Sequence, residues 1–369
     1  SGMPLHALLA TLLSTANQTS WRSCTSLRSL QDAGECSALA SYARARPMNT
    51  ARCGGSLEAG SCTPDEWVEG RALSQSHRRL KFLRDGSLPF TNIVRYEPGP
   101  PTAALMPPGK CVLGAEWLPL PLLERHAIAH DVVLLTFGLL NAQQPLGLST
   151  CACLLAQAPG PRNAATQTPV VRPYTPVSTN AMRGKFQLMV KVYPDGLLSR
   201  HLAALPIGRT VAFKHIPVNV KVQYPFHARK IVMLAGGTGV TPMLQALHAL
   251  LGTSDDATRV TLVLSNKEQK DILAGSILDA WTEAYSRKLR VVHTLTREPP
   301  ASRWRGRRGR IDKPLLEEYM PRPASTSGAL IFVCGPPSFY ETLAGPRGDK
   351  GLSGLLAEMG FRADQVVKF

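Results

Sequence analysis

The chain contains no apolar run of the roughly 18 residues that a membrane-spanning helix needs. Leu5 to Leu13 is too short, and Leu118 to Leu140 is interrupted by Glu124, Arg125 and Asp131. A spanning helix is therefore not expected, which leaves only peripheral membrane contact through the amino-terminal apolar stretch. No Cys-x-x-Cys pair occurs among the 8 cysteines, so a structural zinc site has no usual basis and no metal is expected. Charged residues make up only 18% against 44% hydrophobic, a balance that buries a core and excludes a disordered chain. Acids are scarcest at the start. Through Gly60 only Asp32, Glu35 and Glu58 stand against Arg22, Arg28, Arg44, Arg46 and Arg52.

What is present is a basic chain of 369 residues with net charge +16. Such an excess suits an acidic protein partner, an anionic membrane or nucleic acid, and by itself selects none of them. Residues 1–110 are rich in Ser, Ala, Arg, Pro and Gly. That composition fits a mitochondrial or plastid import region, or an extension that docks onto a larger assembly. Glu97-Pro98-Gly99-Pro100-Pro101 and Pro107-Pro108-Gly109 read as a linker. Cys24, Cys36, Cys53 and Cys62 match no pairing framework and are left undecided, while Cys151 and Cys153 read as buried thiols on one face of a strand.

From Lys110 to Tyr224 the pattern is short strands and turns. Phe186, Leu188, Val190 and Val192 alternate with polar or flexible neighbours, and Val211 to Phe213 and Val218 to Val222 are further strand candidates. A small β-barrel closes such a set. From Arg229 strands and helices alternate. Ile231 to Ala235 is an apolar strand; Thr241 can cap the helix that follows, with Pro242 at its first position and Gly252 as its stop. Val260 to Leu264, Val291 to Leu295 and Leu330 to Val333 extend a parallel sheet, with helices near Ile272 to Tyr285 and Leu352 to Met359. The expected division is an extension and linker over 1–110, a barrel over 111–224 and an α/β domain over 225–369.

Two motifs carry chemistry. Val170 to Ser178 places Arg172, Tyr174 and hydroxyls on an extended segment broken by Pro173 and Pro176, able to grip a phosphate and lay a phenol against a flat heterocycle. Ala235-Gly236-Gly237-Thr238-Gly239-Val240-Thr241-Pro242 is a tight strand-to-helix turn, the usual seat of a dinucleotide phosphate. Together they read as a flavin site facing a nicotinamide site.

Further motifs follow in order: Lys191-Val192-Tyr193-Pro194-Asp195-Gly196 with Ser199, Lys270-Asp271-Ile272-Leu273, Cys334-Gly335-Pro336-Pro337 and Val367-Lys368-Phe369. From about Gly114 onward the series resembles the NADH-cytochrome b5 reductases, most of all the mitochondrial type of plants and algae, within the ferredoxin-NADP+ reductase superfamily. The resemblance implies an antiparallel Greek-key barrel for FAD followed by a doubly wound parallel-sheet domain for NADH. It also implies an acidic haem protein such as cytochrome b5 as electron acceptor. By the same resemblance Arg172 would pair with the FAD diphosphate beside Pro173, with Tyr174 packed on the flavin and Thr175 near its N5. Val190, Lys191 and Tyr193 would flank the flavin, while Gly196, Leu198 and Ser199 would form a phosphate turn in which Ser199 heads a short helix. Thr241 would touch the flavin, and Gly236, Gly237, Thr238 and Gly239 would receive the nucleotide. Cys334, Gly335 and Pro336 would close over the nicotinamide, with Phe369 beside the flavin. Thr175, Lys191 and Cys334 are the candidate catalytic residues, although Cys334 also reads as a plain buried thiol.

The sequence departs from the family where many members carry an acid that selects the 2′-hydroxyl of NADH. Here Thr296-Arg297 stands instead, which leaves NADPH open as a second donor. The run Arg303-Trp304-Arg305-Gly306-Arg307-Arg308-Gly309-Arg310 is either a solvated loop or a docking patch for an acidic haem protein or RNA. The expected function is FAD-dependent electron transfer from NAD(P)H in the mitochondrion. The alternative is a reductase-like accessory subunit of a mitochondrial assembly, attached through the extension.

Overall fold

The structure is a computed structural model that describes residues 88–89, 92–163, 167–321 and 328–369. The readings of the extension up to residue 87, including its four cysteines, lie outside the described residues. Among those described, no helix is long and apolar enough to cross a membrane.

Six antiparallel strands build the first half: β1 (Leu118–Ala129), β2 (Val132–Gly138), β3 (Leu154–Arg162), β4 (Pro169–Tyr174), β5 (Lys185–Lys191) and β6 (Thr210–Lys214). Their order is β4-β3-β6-β1-β2-β5. The sheet curls on itself. Phe186 of β5 meets Phe213 of β6 edge-on at 5.3 Å although β1 and β2 lie between them in the order, and Phe137 of β2 completes the aromatic core. Helix α1 (Leu197–Ala204) packs Leu198, Leu202 and Ala203 into this core. Arg125 of β1 donates to the Ala203 and Leu205 carbonyls, which answers the orphan acceptors at the end of α1.

β2 is buried along its whole length because both of its faces are covered. Val133, Leu135 and Phe137 face the barrel interior, whereas Val132 and Leu134 join a second core that contains most of α2 (Val240–Gly252). That second core belongs to a parallel sheet of β7 (Lys230–Gly236), β8 (Arg259–Asn266), β9 (Leu289–Leu295), β10 (Arg307–Arg308), β11 (Ala329–Cys334) and β12 (Val366–Lys368), ordered β10-β9-β8-β7-β11-β12. Helices α3 (Gly275–Ala284), α4 (Lys313–Tyr319), α5 (Pro337–Leu343) and α6 (Gly354–Glu358) complete it.

Several local expectations are corrected. Thr241 does not cap α2: Gly239 holds the cap position and Thr241 and Pro242 lie inside the first turn, where a proline costs no hydrogen bond. Ser199 likewise sits inside α1 behind the Gly196 cap; its hydroxyl accepts from the Tyr193 N–H and donates to the Gly196 carbonyl. Residues 218–222 are not a strand, since Pro217–Asn219 forms a 3-10 turn with Val220 N–H donating to Pro217 O. Cys151 takes φ +62 in a turn, so Cys151 and Cys153 do not share a strand face. Helices α4 and α5 were not anticipated, although Asp312, whose carboxylate accepts from the Leu315 N–H, is a legible helix start.

The expected linker is a packed strap. Ile93 bridges Ala127, and the buried Tyr96 donates its hydroxyl to Val177 O. The Trp281 indole N–H donates to Gly99 O, the Thr102 N–H donates to His248 Nδ1, and Asn180 donates to Ala104 O. Gly252 is the last residue of α2, as expected, and also makes room for the strap. A Cβ there would lie 2.5 Å from Ala103 N.

Candidate functional site

Two contiguous cavities open between the barrel and the C-terminal ends of the parallel strands. The inner one, about 500 Å³, is walled by the end of β4 (Arg172, Pro173, Tyr174, Thr175), the end of β5 (Met189, Lys191, Tyr193) and the start of α1 (Gly196, Leu198, Ser199). The opposite wall is the β7–α2 turn (Gly236, Thr238, Gly239, Thr241), the Cys334-Gly335-Pro336 step after β11, and Phe369. The outer one, about 460 Å³, holds Gly237, Thr296 and Arg297. Lys191, Tyr193, Gly236 and Pro336 line both, so a molecule in one can touch a molecule in the other. Of the expected residues only Val190 turns away: its side chain lies in the barrel core, because the strand period that aims Met189 and Lys191 at the cavity aims Val190 inward.

Backbone geometry shapes the turn. Gly237 adopts φ +55 in open space, a conformation that disfavours side chains, while Gly239 lets the turn press against β11; a Cβ there would lie 2.1 Å from Cys334 O. At Gly196 a Cβ would meet Ser199 Oγ at 2.2 Å.

The inner cavity is electropositive. Arg172, Lys221 and Arg347 line it without an ion pair among the described residues, and Asp195 is the one side-chain carboxylate on its wall among them. The Arg172 guanidinium is exposed and among the described residues bonds Val171 O, at 2.8 Å. Burial pushes the Tyr174 phenol up, so it stays protonated and serves as a packing surface. Tyr193 and Leu197, each about half exposed, offer apolar area at the rim. Unpaired cations, hydroxyls and an apolar wall fit a phosphate-bearing aromatic heterocycle, which is the chemistry of FAD.

Lys191 is held from behind. Its ammonium lies 2.5 Å from Asp131 and 3.7 Å from Asp271, with His130 against the same two carboxylates. The three could ligate a cation, and the Lys191 ammonium already occupies one side of the two carboxylates. Burial pushes the Cys334 thiol up to about 11, with a hydrogen bond to Tyr340 lowering it in part. Cys334 is therefore a neutral thiol at physiological pH. The Tyr340 hydroxyl donates to the Phe369 carbonyl, and the Phe369 ring packs edge-on against Phe332 at 5.4 Å.

Sequence reasoning missed part of the lining. Cys151, Cys153, Asn219 and Lys221 come from irregular segments, and Arg347 from a loop. Phe339, Lys267 and Arg310 belong to the outer cavity. Phe339 had a signal in the Pro336-Pro337 pair that begins its helix, and Arg310 had one in the basic run, though not as a nucleotide contact.

Residues 119–219 match the oxidoreductase FAD-binding domain family and residues 233–344 the oxidoreductase NAD-binding domain family. An NADH-cytochrome b5 reductase 2 of Coccidioides immitis is 38% identical over 72% of this chain and 82% of its own. An NADH-cytochrome b5 reductase-like protein of Arabidopsis thaliana is 35% identical over 81% of this chain and 88% of its own. The solved cytochrome b5 reductase domain of Ulva prolifera nitrate reductase superposes with a TM-score of 0.58 at 30% identity, covering 69% of this chain and 97% of that one. The barrel wall of the inner cavity falls within the FAD-binding match, and most of the outer cavity falls within the NAD-binding match. The chain belongs to the NADH-cytochrome b5 reductase family, and is an FAD-dependent oxidoreductase of the ferredoxin reductase-like fold.

Proposed function

We propose that this protein carries electrons from NADH through FAD to a small acidic haem protein of the cytochrome b5 kind. The wall shared by the two cavities carries the reading: Lys191, Tyr193, Gly236 and Pro336 bring a nicotinamide in the outer cavity against a heterocycle in the inner one. Bound FAD accepts two electrons as hydride and releases them singly, which a haem acceptor requires.

The chain's own residues do the positioning. Arg172 would hold the diphosphate of bound FAD, and Ser199, fixed by Tyr193 and Gly196, firms the turn beside it. The Gly236 to Gly239 turn offers its main chain to the dinucleotide phosphates. Leu198, Pro336 and the anchored Phe369 exclude water from the slot, and the half-buried, protonated Cys334 adds neutral bulk beside it. Thr175 and Lys191 lie on the same wall and orient the flavin; the ammonium is already neutralised by Asp131 and so adds little net charge. Lys221 and Arg347, both exposed at the rim, complement an acidic partner. The Arg-rich, acid-poor opening of the chain supports a mitochondrial location.

The test is an absorption spectrum of the purified protein before and after anaerobic NADH, followed by cytochrome b5 reduction at rising salt. A yellow protein bleached by NADH, with a reduction rate that falls as salt rises, is expected. A protein that stays colourless after incubation with FAD would refute the reading.

A further inference from the structure

The basic run between β9 and α4 divides by role. Arg308 is spent internally: its guanidinium donates to Glu298 O, Pro299 O, Ser302 Oγ and Trp304 O, stitching its own loop. Arg307 is spent on Glu318 and Asp312. Arg310 is not. It is exposed, has no ion pair among the described residues and lines the outer cavity.

Its place there is fixed by the strand ends. β10 runs parallel to β9, the Gly309 N–H donates to Leu295 O, and the Thr294 hydroxyl donates to Gly309 O. The chain therefore delivers Arg310 beside Thr296 and Arg297. The Thr296 N–H donates to Asn266 O and the Arg297 N–H to Lys267 O at 2.8 Å, which draws Lys267 to the same rim. Three exposed cations, Lys267, Arg297 and Arg310, thus converge from the ends of β8, β9 and β10. None has a carboxylate partner among the described residues.

In an open parallel sheet a dinucleotide lies across the carboxyl ends of the strands. The ribose 2′ position is then read one strand over from the phosphate turn, by an acid for a hydroxyl or by arginine for a phosphate. Here the phosphate turn ends β7, and the neighbouring strand ends supply Ser265, Asn266 and Thr296 with the three cations. Asp271 is the one carboxylate on this wall among the described residues, and it contacts His130, Lys191 and the Glu268 N–H.

We propose that Arg297 and Arg310, with Lys267 beside them, form a clamp for the 2′-phosphate of NADPH, so that this protein binds the phosphorylated nucleotide more tightly than NADH. The inference rests on reading the outer cavity as the nicotinamide donor's site and names the donor that site selects. The reaction itself is unchanged, since hydride leaves either nucleotide from the same nicotinamide carbon.

The test is calorimetric titration of the full chain with adenosine 2′,5′-bisphosphate against AMP, and with NADP+ against NAD+. The phosphorylated member of each pair is expected to bind at least tenfold more tightly, and Arg310→Ala to erase about tenfold of that ratio, the loss of one charge-assisted contact. Thr296→Asp restores a carboxylate and is expected to lower the ratio further. Arg305→Ala, in the same run but outside the cavity, should leave it unchanged. Equal affinity within each pair, or an equal response to Arg305→Ala and Arg310→Ala, would overturn the clamp. The wider reading fails separately: preferential bisphosphate binding by a protein that holds no flavin leaves the clamp standing and removes the electron transfer.

Discussion

Gly239→Ala isolates the close approach on which the nucleotide turn depends. The position has φ −60° and ψ −9°, helical values that alanine adopts freely. On backbone grounds alone the substitution should stabilise by about 0.4–1 kcal/mol through the unfolded chain. The new Cβ would, however, sit 2.1 Å from Cys334 O, 2.5 Å from Cys334 C and 3.0 Å from Gly335 N, all main chain and none able to swing aside. The turn must lift off β11, and overpacking of that kind costs about 1–3 kcal/mol or more. Steric cost wins, with an expected loss of roughly 2–3 kcal/mol and a fall in melting temperature of about 5–10 °C. Gly237→Ala is the paired control with the opposite balance: φ is +55 but no atom lies within 4 Å. It should cost only about 1 kcal/mol of backbone strain. Thermal unfolding of the FAD-loaded proteins reads both. If Gly239→Ala melts within a degree of the parent, or if Gly237→Ala is the more damaging, the geometry assigned to the turn is wrong.

Arg172→Ala should weaken FAD by about 10- to 100-fold, with Arg172→Lys recovering only part because a point charge cannot bond two oxygens at once; fluorescence titration of the apoprotein checks this, and an unchanged Kd refutes it. Burial lowers His248 from 6.5 to about 4. The stability of the neutral ring is therefore whole above pH 6.5 and is lost as pH falls toward 4, a total of roughly 3 kcal/mol. Urea unfolding across that window should show the slope in the parent and a flatter one in His248→Gln; equal slopes would remove His248 as its source. Trp281→Phe deletes the indole donor to Gly99 O while keeping the ring, and should loosen the strap by about 1 kcal/mol with faster proteolysis near residue 100; unchanged cleavage would show that the strap is held elsewhere.

The parts of the fold legible in the sequence were those where one periodicity dominates. β7 is apolar from Ile231 to Ala235 because both its faces are covered there, and α2 presents the expected Met243, Leu244, Leu247, Leu250 and Leu251 to the core. Prolines misled in both directions. Pro98, Pro100 and Pro101 suggested a loose linker, yet a segment that cannot complete a sheet can still lie flat on a surface when Trp281 and His248 supply its hydrogen bonds. Pro336 and Pro337 read as a motif and concealed a helix start. The expected residues of the inner cavity cluster in short runs, whereas the cations of the outer cavity come from three strand ends. Only register brings those three together, and register is not a local property.

The seam between barrel and sheet combines two kinds of contact with different consequences. Val132 and Leu134 pack with the α2 core and supply adhesion, but an apolar surface tolerates sliding. Lys191 does not. Asp131 comes from the β1–β2 hairpin of the barrel and Asp271 from the loop after β8, and one ammonium from β5 reaches both. Desolvating these ions offsets most of their attraction, so an apolar replacement of similar volume would hold the halves at least as firmly. What the ions add is position. If the seam shifted, one carboxylate would be left beside another without its cation, at a cost of several kcal/mol. Lys191 also lines both cavities. The group that fixes the offset between the two halves thus stands at the point where that offset sets the distance over which hydride must pass.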